Sequence, residues 1–255
     1  MQVRAVPTEI VRPGDNILAV IDAALNASHI VLSERSVLAV TSKVVAYSQS
    51  RLVSKADYPQ KSDLVTQEAD WFLPQSSSKY GVMLTIANGI LAVSAGVDES
   101  NSIEGGYVLW PQDVQAEANQ IWAHLRQKYA LNQVGVVITD SKTTPLKWGV
   151  VGTALASCGF NSLKDYRGEK DLFGRQIVME QVHIAEAVAV SAALVMGEVA
   201  EQTPLAIVAD IPLIEFVDHV PTQAELEAQI IDPADDVYAP LLNAVKWQRG
   251  GRKKN

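Results

Sequence analysis

The most informative segment of the sequence is Ser94-Ala95-Gly96-Val97-Asp98-Glu99-Ser100-Asn101. It is a polar loop that follows a short apolar run, Ile90 to Val93, which is expected to be a buried strand. Positions 98 to 101 present two carboxylates, a hydroxyl and an amide, whose oxygens are the ligands that Mg²⁺ and Mn²⁺ prefer. Gly96 lets the backbone turn and approach other groups closely. A polar turn after a strand is also an ordinary loop, so this segment alone leaves both interpretations open.

A second apolar segment ends in the same way. Val134 to Thr139 has the pattern of a buried strand and runs into Asp140-Ser141. If the fold brings the two strand ends together, their carboxylates could hold a metal ion and phosphate groups. The pair of strand ends therefore predicts a cation site more strongly than either segment does.

Composition limits the classes of protein that remain. The chain has 255 residues, of which 48% are hydrophobic and 20% charged, enough for one large core or two modest ones. The net charge of −8 disfavours binding to nucleic acid or to a membrane surface. Cys158 is the one cysteine, which excludes an internal disulfide and disfavours a thiolate zinc site. With no signal-peptide or membrane-span pattern, we expect a cytoplasmic protein.

Hydrophobic patterning and turn residues place the remaining elements. Strands are predicted over residues 1–6, 36–41, 82–85, 89–93, 107–110, 134–139 and 205–209. Helices are predicted from Asp15 as N-cap through Leu25, from Pro111 to about Tyr129, over Val182–Met196, over Thr222–Ile231 and over Tyr238–Gln248. The basic end, Arg249 to Lys254, is expected to be a frayed, solvated tail.

The most charge-patterned segment is Lys164 to Arg175, where two arginines bracket two glycines and two aspartates. Arginine suits bidentate binding of carboxylate or phosphate. An ion-paired turn between two elements would have the same composition, and the residues alone do not choose. No phosphate-binding glycine-rich lysine loop, dinucleotide fingerprint or nucleophile elbow is found in the sequence.

Four motifs together resemble the coenzyme F420-0:γ-glutamyl ligase family, over about residues 1–210. Ser94 to Asn101 resembles the metal loop of the family almost letter for letter, and Asp165 to Arg175 resembles its second hallmark. Leu194 to Gly197 and Thr41 to Lys43 resemble two shorter motifs. The resemblance implies an α+β fold with mixed sheets, built as two intertwined subdomains within a single domain, 1–255, and a homodimer.

The same resemblance implies an activity. Members of the family are GTP-dependent ligases that add L-glutamate to a carboxylate, here F420-0 or a related acceptor, through an acyl phosphate, with Mn²⁺ or Mg²⁺ and sometimes K⁺. The implied metal ligands are Asp98, Asp140, Ser141 and Glu198. The implied nucleotide contacts are Glu9, Ile10, Val11, Arg12, Ser42, Lys43, Asn101 and Gly197. Lys43 and Arg167 would neutralise phosphate charge beside Asp98 and Asp140 during catalysis.

Several residues near the implied metal and nucleotide contacts depart from the family pattern. Tyr47 stands where the family has a lysine that meets nucleotide phosphate, Asn88-Gly89 stands for His-Gly, and Glu186 stands for an aspartate. Lys147-Trp148-Gly149 stands for Arg-x-Gly. These changes leave three interpretations open. The protein is an active ligase with F420-0 or a folate-like acceptor, a nucleotide- or ligand-binding homologue without turnover, or a partner-binding protein with no ligand.

Overall fold

The computed structural model describes residues 1–252, so Lys253 and Lys254 of the predicted basic tail lie outside the described residues. The strands are β1 (Gln2–Val6), β2 (Ser36–Thr41), β3 (Leu52–Val53), β4 (Trp71–Phe72), β5 (Leu84–Ala87), β6 (Ile90–Val93), β7 (Tyr107–Val108), β8 (Val134–Thr143), β9 (Val150–Cys158), β10 (Leu163–Asp165), β11 (Gln181–His183), β12 (Leu205–Ala209) and β13 (Gln248–Arg249). The helices are α1 (Ile17–Ala27), α2 (Ser42–Ser48), α3 (Lys61–Glu68), α4 (Val114–Tyr129), α5 (Ile184–Met196), α6 (Gln223–Glu227) and α7 (Ala239–Leu242).

The largest sheet has five strands in the order β1-β12-β2-β8-β9. It is a mixed sheet, because β2 and β8 are parallel while the other pairs are antiparallel. Helices α1, α2 and α4 pack on one face, and α5 packs on the other. A strand covered on both faces has no polar side, which explains why β2 and the first part of β8 are continuous apolar runs.

A smaller antiparallel sheet, in the order β13-β4-β5-β6, lies beside α3 over a separate core. Its centre is the β5–β6 hairpin, which turns at Asn88 and Gly89, both with positive φ. Two further pairs, β3–β7 and β10–β11, complete the pairing among residues 1–252. The predicted α+β class with mixed sheets is confirmed, while the division into two subdomains stays a prediction.

Several predicted boundaries need correction, each for a local hydrogen-bonding reason. Asn16, not Asp15, caps α1, because its side chain accepts from Leu18 and Ala19 while Asp15 accepts from the Arg12 amide. Pro111 does not open α4; Asp113 caps it. Val182 lies in β11, so α5 begins only after His183, whose ring nitrogen accepts from Glu186.

The C-terminal predictions were too helical. The capping box of Thr222 and Glu225 is present, but α6 ends at Glu227, where the amide of Ile230 bonds the Glu227 carbonyl in a tighter three-residue turn. The predicted closing helix is reduced to Ala239–Leu242. The chain then extends, and Gln248–Arg249 pairs with β4.

The described part of the basic end is attached to the body rather than frayed. The amides of Gly250, Gly251 and Arg252 donate to carbonyls of residues 66–70. The Arg249 guanidinium lies 4.9 Å from the centroid of the Trp71 ring. In residues 1–252 no helix combines the length and hydropathy that crossing a membrane requires.

Candidate functional site

One cavity of about 750 Å³ collects most of the residues implied by the sequence. Five segments supply most of its wall: the loop after β1, helix α2, the loop after β6, the middle of β8, and the end of α5 with the residues that follow it. Lys61 and Val82 also line it. The parallel pairing of β2 with β8 places Thr41 beside Thr139, so the start of α2 and Asp140 share one edge of the sheet. The topology therefore brings together polar residues that are far apart in sequence.

The loop after β6 is a strained turn held by buried contacts. Ser94, Ala95 and Gly96 all have positive φ, and the Ala95 amide donates to the buried hydroxyl of Thr85. A Cβ on Gly96 would lie 2.2 Å from the ring of Trp110. Glycine is thus required at position 96 by close approach as well as by backbone conformation.

The negative charge of Asp98 is balanced by neighbouring groups of the protein. Lys43 Nζ lies 2.5 Å from Asp98 Oδ2, and the Ser100 hydroxyl donates to the same oxygen at 2.7 Å. Burial raises the pKa of Asp98, but these hydrogen bonds and the Lys43 charge outweigh it and lower the pKa to about 2. Asp98 is therefore an ionised carboxylate at neutral pH.

The pKa of Asp140 is shifted in the opposite direction from that of Asp98. Burial raises its pKa to about 6, against the lowering effect of the Trp110 indole N–H, the Ser141 amide and the Lys43 charge. Trp110 Nε1 donates to Asp140 Oδ2 and orients the carboxylate. The neighbouring Ser141 hydroxyl donates to Glu198 Oε1 at 2.7 Å, which joins β8 to the end of α5.

The four implied metal ligands, Asp98, Asp140, Ser141 and Glu198, all line the cavity. Carboxylate and hydroxyl oxygens fit a hard divalent cation. Among residues 1–252, however, no three His, Cys, Asp or Glu side chains already converge as a metal-binding group. The donors instead form separate contacts, with Asp98 on Lys43 and Ser141 on Glu198.

The implied nucleotide contacts divide into two groups. Those that line the cavity are Glu9, Ile10, Val11, Lys43, Asn101 and Gly197. Arg12 is exposed and does not line it, and Ser42 is buried in the first turn of α2 behind the wall. The Asn101 side chain donates to the Val199 carbonyl at 2.6 Å, so it links the metal loop to the segment after α5.

Arg167 is not brought to the cavity within one chain. It lies between β10 and β11 in an exposed arm and forms a two-pronged ion pair with Asp165 two residues earlier. Of the two interpretations of the 164–175 segment, this geometry corresponds to an ion-paired turn within a single chain. A role for Arg167 in binding phosphate stays a prediction, and it requires that Arg167 reach the cavity of a second copy of the chain.

Some residues in and next to the cavity wall have contacts that the sequence did not predict. Lys61 lines the cavity and pairs with Glu99 at 3.2 Å. Trp110 does not line the cavity but donates to Asp140, and the sequence assigned it only to a short strand. Tyr47 was singled out only as the replacement of a phosphate-binding lysine, and its contacts with Asn101 and Ile103 depend on the fold.

Comparison with known proteins gives a consistent result. The family model for F420-0:Gamma-glutamyl ligase matches residues 5–210. A protein of Methanopyrus kandleri named coenzyme F420:L-glutamate ligase is 31% identical over 81% of this chain and 86% of its own length. Proteins with the same name from Methanothermobacter thermautotrophicus and Haloarcula marismortui are 27% and 29% identical, over 80% and 91% of this chain and 86% and 93% of their own lengths.

The matched region contains all five cavity segments. The residues after 210, which include β13 and the basic end, lie outside it. The matched region includes the loop from Ser94 to Asn101, and this loop lines the cavity. This chain belongs to the F420-0:γ-glutamyl ligase family, a family of enzymes that form amide bonds.

Proposed function

We propose that this protein is a GTP- and divalent-cation-dependent ligase that joins L-glutamate to the carboxylate of F420-0 or a closely related acceptor. The observation that carries the proposal is that Asp98, Asp140, Ser141, Glu198 and Lys43 all line one cavity. The relatives named for ligation of L-glutamate to coenzyme F420 support the choice of substrates.

The charge of the cavity explains why a cation belongs in the proposal. Its lining carries five carboxylates, Glu9, Asp98, Asp140, Glu198 and Glu201, against two lysines, Lys43 and Lys61. A polyphosphate would be repelled by this excess of negative charge. Mn²⁺ or Mg²⁺, with K⁺ as a further candidate, would neutralise the phosphates and align donor and acceptor.

The chemistry needs an activated carboxylate, because hydroxide is a poor leaving group. An oxygen of the acceptor carboxylate attacks the γ-phosphorus of GTP, and GDP leaves with the bridging oxygen. The glutamate amine then attacks the acyl carbon, phosphate leaves, and the nitrogen loses a proton. No protein nucleophile takes part in this sequence, and the cavity residues act by position and charge.

The protein groups have distinct tasks in this scheme. Asp98 and Asp140 would hold the divalent cation that neutralises the phosphates, and the Trp110 indole N–H fixes the Asp140 carboxylate. Lys43 exchanges part of its contact with Asp98 for a phosphate oxygen when nucleotide enters. Glu9 to Val11 and Gly197 also line the cavity and would contact the nucleotide.

A homodimer is part of the proposal because the arm between β10 and β11 exposes several apolar side chains among its charged residues. Leu172 and Phe173 at its tip are 99% and 92% exposed in the single chain. Val178 and Met179 on the returning segment are also largely exposed. An apolar patch of this kind is typical of a protein–protein contact. A second copy could cover the arm and could bring Arg167 to a cavity.

Mass spectrometry of a reaction with pure protein, GTP, Mn²⁺, L-glutamate and F420-0 tests the function. We expect a product heavier by one or more glutamyl units and an equal amount of GDP. Asp98→Asn and Asp140→Asn should each abolish product formation, and Asp57→Asn, on an exposed residue away from the cavity, should not. GTP binding without product from F420-0 would favour a folate-like acceptor or a homologue without turnover, which folate substrates would then separate. Absence of both would refute the proposal.

A further inference from the structure

Tyr47 is buried in the cavity wall and is 4% exposed. Its hydroxyl donates to the Asn101 carbonyl at 2.9 Å and accepts from the Ile103 amide at 2.9 Å. Both partners belong to the metal loop and its continuation, although they are more than 50 residues away in sequence. The hydroxyl therefore uses both of its hydrogen-bonding capacities on the backbone of this segment.

Tyr47 acts together with Lys43, one turn earlier on α2. Residues four apart on a helix lie on the same face. Lys43 holds the first half of the segment through Asp98 and Ser100, and Tyr47 holds the second half. Helix α2 thus fixes the segment at two successive places.

The backbone that Tyr47 holds has an unfavourable conformation at Asn101. Asn101 has a φ of 52°, in the left-handed region, and its side chain donates to Val199. Val199 directly follows Glu198, which is bonded to Ser141. The position of the Asn101 backbone thus affects both the loop that carries Asp98 and the segment that carries Glu198.

A lysine at position 47 could not make these contacts. An ammonium group donates hydrogen bonds but cannot accept one. It would leave the Ile103 amide without its partner and would put a cation near the Asn101 carbonyl. The hydroxyl at this position therefore has a different task from that of a phosphate-binding cation.

We propose that Tyr47 is a positioning residue that sets the shape of the Asp98–Ile103 segment and, through Asn101, the place of Glu198. The backbone part of this inference stands without the proposed function. Its consequence for cation binding rests on that function. In this scheme the cavity relies on the divalent cation, with Lys43 and Lys61, for the charge that a third lysine would have supplied.

Hydrogen–deuterium exchange of the ligand-free protein tests the backbone part. In the wild type the Ile103 amide should exchange about tenfold more slowly than that of Ser102, whose amide has no acceptor among residues 1–252. In Tyr47→Phe this protection should be lost. Tyr129→Phe removes a hydroxyl that binds Asp22 outside the cavity and should leave Ile103 protected. Unchanged protection in Tyr47→Phe would overturn the inference, as would an unprotected Ile103 in the wild type.

The second measurement is the Mn²⁺ concentration that gives half-maximal GTP binding in each variant. We expect Tyr47→Phe to raise it about tenfold and to lower the melting temperature by a few degrees, and Tyr47→Lys to raise it at least as much. Wild-type behaviour in Tyr47→Phe would show that the hydroxyl does not position the site, and tighter binding in Tyr47→Lys would identify position 47 as a phosphate contact. Either result would overturn the inference. If the wild type binds no GTP, the proposed function fails, and the exchange result still decides the role of Tyr47.

Discussion

Gly96 shows at the scale of one residue how the site depends on close packing. Its φ of 73° disfavours any side chain, and a Cβ at this position would lie only 2.2 Å from the Trp110 ring. Gly105 has a similar φ of 68° but nothing within 4 Å of a Cβ. The two glycines therefore separate the cost of backbone strain from the cost of a steric clash.

We predict that Gly96→Ala lowers the free energy of unfolding by about 3 kcal/mol or more, because it adds a clash to backbone strain. Gly105→Ala should cost only about 1 kcal/mol. Urea unfolding of both variants measures the difference. Since Trp110 holds Asp140, Gly96→Ala should also weaken Mn²⁺-dependent GTP binding. Equal losses of stability in the two variants would contradict the packing argument.

Asp22 is a second residue whose environment predicts a measurable effect. Burial raises the pKa of its carboxyl, but hydrogen bonds from Lys128, His124 and Tyr129 outweigh it and lower the pKa below the ordinary value. A carboxyl whose pKa is lowered by folding stabilises the protein above its unfolded pKa, and this contribution is lost as the pH falls through the folded pKa.

We predict that Asp22→Asn destabilises the protein by about 1–2 kcal/mol at pH 7, allowing for the exposure of Lys128. The difference from the wild type should narrow below about pH 4. Thermal unfolding over a pH series measures it. Asp57→Asn, on an exposed carboxylate with no hydrogen-bond partner among residues 1–252, is the control and should be nearly neutral. A difference that does not change with pH would refute the electrostatic explanation.

At the scale of elements, the C-terminal strand β13 attaches the end of the chain to the small sheet. A Cβ on Gly250 would lie 2.0 Å from the Ala69 carbonyl oxygen, whereas one on Gly251 would lie 3.3 Å from the nearest atom. The contact is thus closest at position 250. This attachment replaces the end of the helix that periodicity predicts over Tyr238–Gln248.

We predict that Gly250→Ala detaches the end of the chain, because a carbonyl oxygen of the backbone cannot move away cheaply. The expected results are a change in Trp71 fluorescence, since Arg249 stacks on that ring, and faster cleavage of the C-terminal residues by protease. Gly251→Ala should show a smaller effect on both measurements. The same fluorescence and cleavage in Gly250→Ala as in the wild type would contradict the attachment.

At the scale of the whole molecule, the arm between β10 and β11 leaves apolar residues exposed that a second copy could bury. We predict a dimer mass by light scattering at micromolar concentration. Leu172→Ser together with Phe173→Ser should shift the protein towards the monomer, because each removes a largely exposed apolar side chain from the contact. The control Val31→Ser changes a 90% exposed valine outside the arm. A monomeric wild type would refute the arm as a dimer contact.

The sequence by itself determined the family, the mixed α+β class and the long elements, and it singled out the acidic residues that line the cavity. These features depend on local periodicity and on contiguous motifs, such as the loop from Ser94 to Asn101. The predicted C-terminal helices were too long, because a tight turn ends α6 at Glu227 and pairing with β4 makes Gln248–Arg249 a strand.

Only the tertiary structure decided which of the implied residues meet. It placed Asp98, Asp140 and Glu198 around one cavity and left Arg167 outside it within a single chain. It also gave tasks to Tyr47 and Trp110, whose partners lie tens of residues away in sequence. Such contacts arise from the parallel pairing of β2 with β8 and from the packing of α2 on the loop, which no local pattern encodes.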